Sequence, residues 1–363
     1  MPDTFITVDV CKKYSLKEFI LQDIMDVEYI ALESTDEFLC QGIVQAIGKE
    51  IILVKNIIND GDIFIFSRNG KGLRKINKKG QGSEEYIFNL SVFLDEDKGE
   101  IYVDEVIRNV LVYDFQGNFI RSIHRDDVKW INATSYNSDY LIARESPSVH
   151  IGKKTDNQQF VLISKQDGSI VKDFRIYFEK KVEWGITNHA GNAGVAPRPY
   201  PIVPYHDSWL LMEPSSDTIF RISPDFSLIP FIARTPSIQS MKPAVFLLPC
   251  IFTDRYYFME TVKMDADFLR KGGSPKTYLA YDKKDNTLFE YTILNNDFPE
   301  KVTMNITVQE TTNSEIAFWQ KFEPNELIEA YKKGQLKGKL KEIAAELEED
   351  SNPVIMLVKY KKQ

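Results

Sequence analysis

The sequence predicts an all-β fold, namely a six-bladed β-propeller closed by pairing of N-terminal strands with the C-terminal strand. A small helical insertion is expected in the last blade. Three observations lead to this prediction: a β-hairpin pattern occurs five times, a short strand precedes each hairpin, and that strand recurs at the end of the chain. All 363 residues are expected to form one domain, since propellers run long as single domains.

The repeated hairpin is an apolar run with alternation, a polar turn and a second apolar run. The five copies read DIFIFSRNGKGLRKI, NVLVYDFQGNFIRSI, QFVLISKQDGSIVKDF, DTIFRISPDFSLIPFI and TYLAYDKKDNTLFEYTI. Their turns centre on Gly70, Gly117, Gly168, Asp225 and Asn286. Gly, Asn and Asp tolerate the positive φ that tight hairpins require, so each copy is predicted to be a β-hairpin.

A further strand precedes each hairpin and completes the blade together with an inner strand upstream of it. These strands read EIILVKN, EIYVDEV, YLIARES, WLLMEPS and YYFMETV, and a sixth copy, VIMLVKYK, ends the chain. Four antiparallel strands at this spacing are typical of a propeller blade. The N-terminal segments TFITVDV and MDVEYIALES are predicted to pair with VIMLVKYK, which would close the ring and remove exposed sheet edges.

One segment, residues 324–350, breaks the β pattern and is predicted to be helical. Leu336, Leu340, Ile343 and Leu347 follow the spacing of one apolar helix face, and Gly334 is expected to separate a short first helix from a longer second one. Placed between the first and second strands of the sixth blade, the segment should lie on the face opposite the blade-to-blade connections. It is interpreted as a helical cap on the propeller, with a partner-binding helix as the alternative.

Composition excludes several classes of function. The net charge of −8 argues against nucleic-acid binding, because affinity for phosphates needs a basic field. The basic stretch from Arg68 to Lys79 contains Gly70-Lys-Gly72 but lacks the third glycine of a dinucleotide fingerprint, so it is interpreted as a solvated hairpin. The three cysteines are too few for a disulfide framework, and no apolar run reaches the length of a membrane span.

Three stretches carry a resemblance to a known family: GEIYVDEVIRNVLVYDFQGNFIRSI, KKGQGSEEY, and the C-terminal LKEIAAELEEDSNPVIMLVKYKK. With them the chain resembles the NHL-like six-bladed β-propellers, in particular the uncharacterised propeller proteins and lipoproteins of Bacteroidetes-type bacteria. The resemblance covers nearly the whole chain and implies a fold, not an activity. Because members usually begin with a lipoprotein-type export signal, it implies a periplasmic or cell-surface location. The start MPDTFITVDV lacks a basic, then apolar, signal, which leaves a cytoplasmic location open.

The repeat aligns one position across the six units, the residue after four mostly apolar positions of the second strand. The aligned residues are Lys55, Glu105, Glu145, Glu213, Glu260 and Lys359. Symmetry should place them at similar height around the axis, where they form a candidate ring for a cationic or polyhydroxylated ligand. A divalent cation would also fit if the carboxylates converge. The alternative is that these are strand ends where charged residues meet solvent and form weak ion pairs.

The longest connection, residues 179–205, carries a second candidate group. Trp184, His189, Arg198 and Tyr200 combine aromatic rings, an imidazole and a guanidinium, which would suit a sugar or peptide. The alternative is a loop that plugs the channel mouth. His206 is expected at a turn on the opposite face.

Two classes of function follow. The favoured one is a non-catalytic propeller that binds a ligand or protein partner, a glycan or peptide among the options, on the long-loop face. The other is an enzyme, such as a lactonase, glycan lyase or hydrolase, that uses the ring carboxylates with or without a divalent metal. An enzyme predicts converging carboxylates, whereas a scaffold predicts carboxylates paired with lysines. No G-x-S-x-G or H-E-x-x-H motif occurs, no cofactor other than a divalent cation is considered, and a monomer is expected.

Overall fold

The computed structural model of the chain describes residues 4–57, 60–105, 109–125, 130–146, 156–182, 186–187, 194–195, 201–264, 275–300, 302–306 and 313–361. Its sheets form the six blades of a β-propeller, which confirms the predicted fold. The N-terminal elements are β1 (Ile6–Asp9), β2 (Leu16–Ile20), α1 (Leu21–Ile24) and β3 (Met25–Ala31).

The first three blades are four-stranded antiparallel sheets. Blade one contains β4 (Ile43–Ile47), β5 (Ile51–Lys55), β6 (Asp62–Ser67) and β7 (Gly72–Asn77). Blade two contains β8 (Ser91–Asp95), β9 (Glu100–Asp104), β10 (Asn109–Asp114) and β11 (Phe119–His124). Blade three contains β12 (Trp130–Ser135), β13 (Tyr140–Glu145), β14 (Asn157–Ser164) and β15 (Ile170–Tyr177).

The remaining blades include strands from distant parts of the chain. After a short pair, β16 (Ile186–Thr187) and β17 (Gly194–Val195), blade four contains β18 (Ile202–Tyr205), β19 (Ser208–Leu211), β20 (Thr218–Ile222) and β21 (Leu228–Thr235). A 3₁₀ helix (Ile238–Ser240) leads to blade five, with β22 (Val245–Phe252), β23 (Tyr256–Lys263), β24 (Lys276–Asp282) and β25 (Thr287–Asn295), beside which lies β26 (Val302–Met304). Blade six contains β27 (Ile316–Phe322) and β28 (Val354–Tyr360), separated by α2 (Pro324–Lys332) and α3 (Gly338–Glu346).

The hairpin turns have the backbone conformation that their residues predict. Gly70, Gly117, Gly168 and Asn286 adopt positive φ, whereas in blade four Phe226 takes that conformation in place of Asp225. Glycine is required at position 70 for two reasons. Its φ is positive, and a Cβ there would lie 2.0 Å from the carbonyl oxygen of Ala31. The turn of blade one therefore packs tightly against the end of β3, the outer strand of blade six.

The core lies between the blades, because the middle strands are buried on both faces. Leu53, Ile65 and Val103 belong to the cluster between blades one and two, and Val54 and Leu357 belong to the cluster between blades six and one. Full burial of each such side chain contributes about 1.5–3 kcal/mol. Successive blades are thus held together by these clusters around the ring.

The predicted closure of the ring is confirmed. β3 pairs with β28 along its whole length, from Met25 opposite Tyr360 to Ala31 opposite Val354. The other N-terminal segment lies elsewhere: β1 adds in parallel to β21 of blade four, and β2 adds in parallel to β25 of blade five. TFITVDV therefore covers an outer edge of a blade instead of joining the closure.

Two faces of the propeller are distinguished by strand ends. On the turn face, the first strand of blades one to five joins the second through residues 48–50, 96–99, 136–139, 206–207 and 253–255. On the connection face, the second strands end at Lys55, Asp104, Glu145, Leu211 and Lys263.

Blade six departs from the predicted strand order. Asn313, just before β27, donates from Nδ2 to the carbonyl oxygen of Gly48 at 3.0 Å, so β27 begins at the turn face. At its other end, Lys321 donates from Nζ to the carbonyl oxygen of Gln41 at 3.1 Å. β27, β28 and β3 therefore run in the directions of second, third and fourth strands, and Lys359 near the end of β28 lies at the turn face.

The helical insertion consists of two helices of nine residues each, not of a short and a longer one, and Gly334 between them has a positive φ. Leu336 and Leu347, predicted on the apolar helix face, lie just outside the second helix. The expected face was wrong, because the insertion follows the end of β27 at the connection face. Asn352, which ends the insertion, bonds to Cys40, Glu33 and Phe38 in the connection between β3 and β4. An alternating apolar strand reads the same in either direction, so the sequence alone did not distinguish these two arrangements.

Candidate functional site

A cavity of about 780 Å³ opens on the turn face, and we call it the turn-face cavity. Its wall contains the first turn of blades one to five, the start of β27, the end of β28 and part of α1. Because each blade contributes to the wall, the cavity lies at the axis of the propeller. A cavity of this volume is within the usual range of small-molecule sites.

One side of the turn-face cavity is aromatic. The rings of Tyr136 and Trp209 stack with centroids 6.2 Å apart and an angle of 28°, and Trp209 donates from Nε1 to the carbonyl oxygen of Tyr136 at 3.1 Å. Trp209 is buried, whereas Tyr136 is half-buried and presents part of its ring to the cavity. Burial raises the pKa of the Tyr136 hydroxyl, which therefore remains a hydrogen-bond donor at neutral pH.

Two acidic residues of the wall are occupied by structural contacts. Glu96 accepts hydrogen bonds from the backbone N–H groups of Glu50 at 2.8 Å and Ile51 at 3.0 Å, and so holds the turn of blade one against blade two. Asp95 forms an ion pair of 2.6 Å with Lys165, which is 1% exposed. Both carboxylates join neighbouring blades.

Lys165 also donates to the hydroxyl of Ser135 at 2.7 Å, at the edge of the turn-face cavity. A lysine next to a serine can act as a general base only when the lysine is neutral. Burial lowers the pKa of Lys165, and the Asp95 carboxylate opposes this shift by stabilising the ammonium form. In this arrangement Lys165 donates to both partners, and the group joins blade three to blade two without activating Ser135.

Asp207 and Asp254 are the acidic residues of the first turns in blades four and five, and both are exposed at the cavity mouth. In the described part of the chain, no hydrogen bond or ion pair engages either carboxylate. Asn137 and Ser138 line the cavity from the turn of blade three. The Asn137 Oδ1 accepts from the backbone N–H groups of Asp139 and Tyr140, both at 2.9 Å, so this side chain offers its Nδ2 as a donor. The lining of the cavity therefore combines accessible acceptors and donors with the ring of Tyr136.

His206 lies at a turn on the turn face, as expected, and borders the turn-face cavity. Its ring contacts that of Tyr205 with centroids 4.6 Å apart. The cavity itself was not predicted. The sequence feature that could have indicated it is the polar turn between the first and second strands of each unit. These turns read IGKE, DEDKGE, SYNSDY, YHDS and TDRY.

The predicted ring lies on the connection face except for Lys359. Lys55 donates from Nζ to the carbonyl oxygens of Asn89 and Leu90, both at 2.7 Å, immediately before the first strand of blade two. Burial lowers the pKa of Lys55. Lys321 makes the equivalent contact in blade six, with the carbonyl oxygen of Gln41, so Lys321 and not Lys359 is the counterpart of Lys55.

The ring carboxylates are buried or half-buried, and three of them have defined partners. Glu105 accepts from the backbone N–H of Ile87 at 2.7 Å. Glu213, which is 3% exposed, pairs with Lys181 at 2.8 Å, and Glu260 pairs with Lys276 at 2.9 Å. These contacts join each carboxylate to a neighbouring segment of the chain.

Glu145 is also buried, whereas Lys359 pairs with Glu28 at 3.1 Å on the turn face. The four residues predicted on the long connection, Trp184, His189, Arg198 and Tyr200, lie outside the described residues. Within the part of the chain that the structure describes, no three His, Cys, Asp or Glu side chains are grouped to hold a metal ion. None of the described helices has the length and apolar character needed to cross a membrane.

The fold and the cavity define a six-bladed β-propeller with an axial cavity of ligand size. Over residues 5–359 the sequence matches the family described as a domain of unknown function (DUF4934), and the chain belongs to this family. No curated protein matches it significantly.

Solved structures resemble the chain at the level of the fold. A Bacteroides fragilis protein described only as exported superposes with a TM-score of 0.61 at 16% identity, covering 99% of this chain and 100% of that one. Virginiamycin B lyase from Staphylococcus aureus gives a TM-score of 0.37 at 11% identity, over 74% and 88% of the two chains. A protein of unknown function from Bacteroides caccae gives 0.36 at 12% identity, over 76% and 81%. At these identities the likeness extends to the fold alone.

Proposed function

We propose that this protein is a non-catalytic binding propeller that takes an oligosaccharide in the turn-face cavity. The observation that carries the proposal is a cavity of about 780 Å³ whose lining includes the Tyr136 ring and two exposed carboxylates without partners in the described residues. This proposal places the ligand at the turn face and not at the long-loop face, where Glu213 and Glu260 form ion pairs with lysines.

The chemistry of the mouth suits a polyhydroxylated ligand. An aromatic ring packs against the apolar face of a sugar, while carboxylates and amides hydrogen-bond to hydroxyl groups. Asp207, Asp254 and Asn137 supply such groups from three successive blades. Hydrogen bonds to charged acceptors are also stronger than neutral ones, which would fix the orientation of the sugar.

The enzyme alternative receives less support. A glycosidase needs an acid whose pKa is raised by burial, facing a second carboxylate across the scissile bond. Asp207 and Asp254 are exposed, and Glu213 and Glu260 are paired with lysines. The carboxylates therefore fit binding or structural roles better than general acid catalysis.

The proposal includes a location outside the cytoplasm, in the periplasm or at the cell surface as a lipoprotein. Its support is the resemblance to lipoprotein propellers and the description of the Bacteroides fragilis protein as exported. Fractionation of cells that carry the full gene tests this part separately, and recovery of the protein only from the cytosol would contradict it.

A glycan array followed by calorimetry tests the binding proposal. The wild type should bind a subset of oligosaccharides, and the double variant Asp207→Asn/Asp254→Asn should bind at least tenfold more weakly, because charged acceptors are lost. Its melting temperature should not change, since neither carboxylate has a partner in the described residues.

The variant Glu346→Lys/Glu348→Lys, on the connection face, is the control and should bind like the wild type. An array without any bound glycan, or equal affinity of wild type and cavity variant, would overturn the proposal. Release of reducing ends from a bound glycan would instead support the enzyme alternative.

A further inference from the structure

A second cavity, of about 440 Å³, lies between α3 and the segment that connects β3 to β4, and we call it the helix groove. It belongs to the connection face and is separate from the turn-face cavity. Its floor is apolar and consists of Ala31, Leu32, Leu39, Ile343 and Leu347.

Helix α3 and Leu347, the residue that follows it, present two apolar stripes, and only one is covered. Leu340 and Ala344 are buried in the core that blades four, five and six share. Ile343 and Leu347 line the helix groove and are half-buried, and Leu39 across the groove is 47% exposed. The floor of the groove is therefore an apolar surface that remains accessible.

The rim of the helix groove is acidic. Its lining includes Asp36, Glu346, Glu348 and Asp350 but neither lysine nor arginine. All four side chains are exposed, and none of them forms an ion pair within the described residues. The rim thus carries four carboxylates without neutralising cations.

The position of these carboxylates opposes helix stability. Glu346 ends α3 and Glu348 follows two residues later, and the last turn of α3 contains no basic residue. The C-terminus of a helix carries a partial negative charge, so cations there are stabilising and carboxylates are not. A cationic group bound at this rim would interact favourably with the carboxylates and with the helix terminus.

We infer that the helix groove docks a basic, amphipathic segment of a protein partner. Apolar side chains of that segment occupy the floor between Leu39 and Leu347, and its lysine or arginine residues face the acidic rim. Charge complementarity selects this occupant, because an acidic or purely apolar segment would leave the four carboxylates without cations.

The test uses a fluorescent twelve-residue peptide of alternating lysine and leucine, with a glutamate–leucine peptide of the same length as the negative probe. Fluorescence anisotropy of the purified full chain should detect the basic peptide only. Glu346→Lys/Glu348→Lys should weaken its binding at least tenfold, and Leu39→Ser should weaken it at least threefold. Leu39 is half-exposed, so the fold should tolerate this change.

The charge-matched control is Asp207→Lys/Asp254→Lys, which alters the net charge equally but on the turn face. Binding within twofold of the wild type is expected. An equal loss in both double variants would show general attraction to an acidic protein and overturn the inference, as would no binding by the wild type at 150 mM salt. Sedimentation that reveals a dimer disrupted only by Glu346→Lys/Glu348→Lys would assign the groove to a second copy of this chain instead.

Discussion

One arginine, Arg121, holds a buried carboxylate of its own blade and also reaches the next blade. Arg121 on β11 holds Glu100 on β9 through two hydrogen bonds of 2.5 and 2.8 Å, and its Nε donates to the carbonyl oxygen of Lys165 in blade three. Burial alone would raise the pKa of Glu100, but the hydrogen bonds from Arg121 and Tyr102 outweigh it and hold this pKa below its usual range. A carboxyl with a depressed pKa stabilises the fold above its unfolded pKa, and that contribution is lost as the pH falls through the folded pKa.

We therefore expect Arg121→Met to lower the free energy of unfolding by about 3 kcal/mol at pH 7, because it leaves Glu100 buried without its cation. The difference from the wild type should shrink as the pH falls through the depressed folded pKa of Glu100, because protonation removes the charge that Arg121 compensates. Urea unfolding at pH 7 and pH 3.5 measures both values. Arg175→Met, which removes a half-exposed pair with Asp173, is the control and should cost at most about 0.5 kcal/mol. A loss independent of pH would indicate packing by Arg121 and not its charge.

At the scale of elements, local patterns predicted most of the strands. The hairpins followed from alternation and from turn residues that lie close in sequence. β1 and β2 pair in parallel with strands more than two hundred residues away, and no local signal reports such a partner. The direction of β27 was also missed. Its apolar run is followed by helices and not by a hairpin, so no local turn indicates which way the strand runs.

The helical insertion packs into the core, because Leu340 and Ala344 of α3 are buried there. Leu340 is fully buried beside strands of blades five and six, so Leu340→Ala should lower the free energy of unfolding by about 2–5 kcal/mol. Ile343→Ala, four residues before Leu347 on the accessible stripe, should cost less than half as much. Denaturant unfolding measures the free energy of unfolding of both variants. Equal and small losses in the two variants would indicate a loosely attached insertion and contradict a packed cap.

At the scale of the whole molecule, the blade repeat brings together polar side chains from segments that are distant in the sequence. The turns that line the turn-face cavity lie far apart in the sequence, at residues 48–50, 96–99, 136–139, 206–207 and 253–255. Only closure of the ring brings Asn137, Asp207 and Asp254 to one cavity. The candidate ring of six aligned charged residues was predicted from the same repeat, and five of the six lie on the connection face. Lys359 does not, because β28 is a third strand and not a second one.

The central claim, that the ligand binds at the turn face, is tested most directly by hydrogen–deuterium exchange with and without a bound oligosaccharide. Binding in the cavity should slow exchange in the turns at 136–139, 206–209 and 253–256, and leave exchange at Glu105, Glu213 and Glu260 unchanged. Protection confined to those three residues and their neighbours would contradict the account and return the ligand site to the connection face.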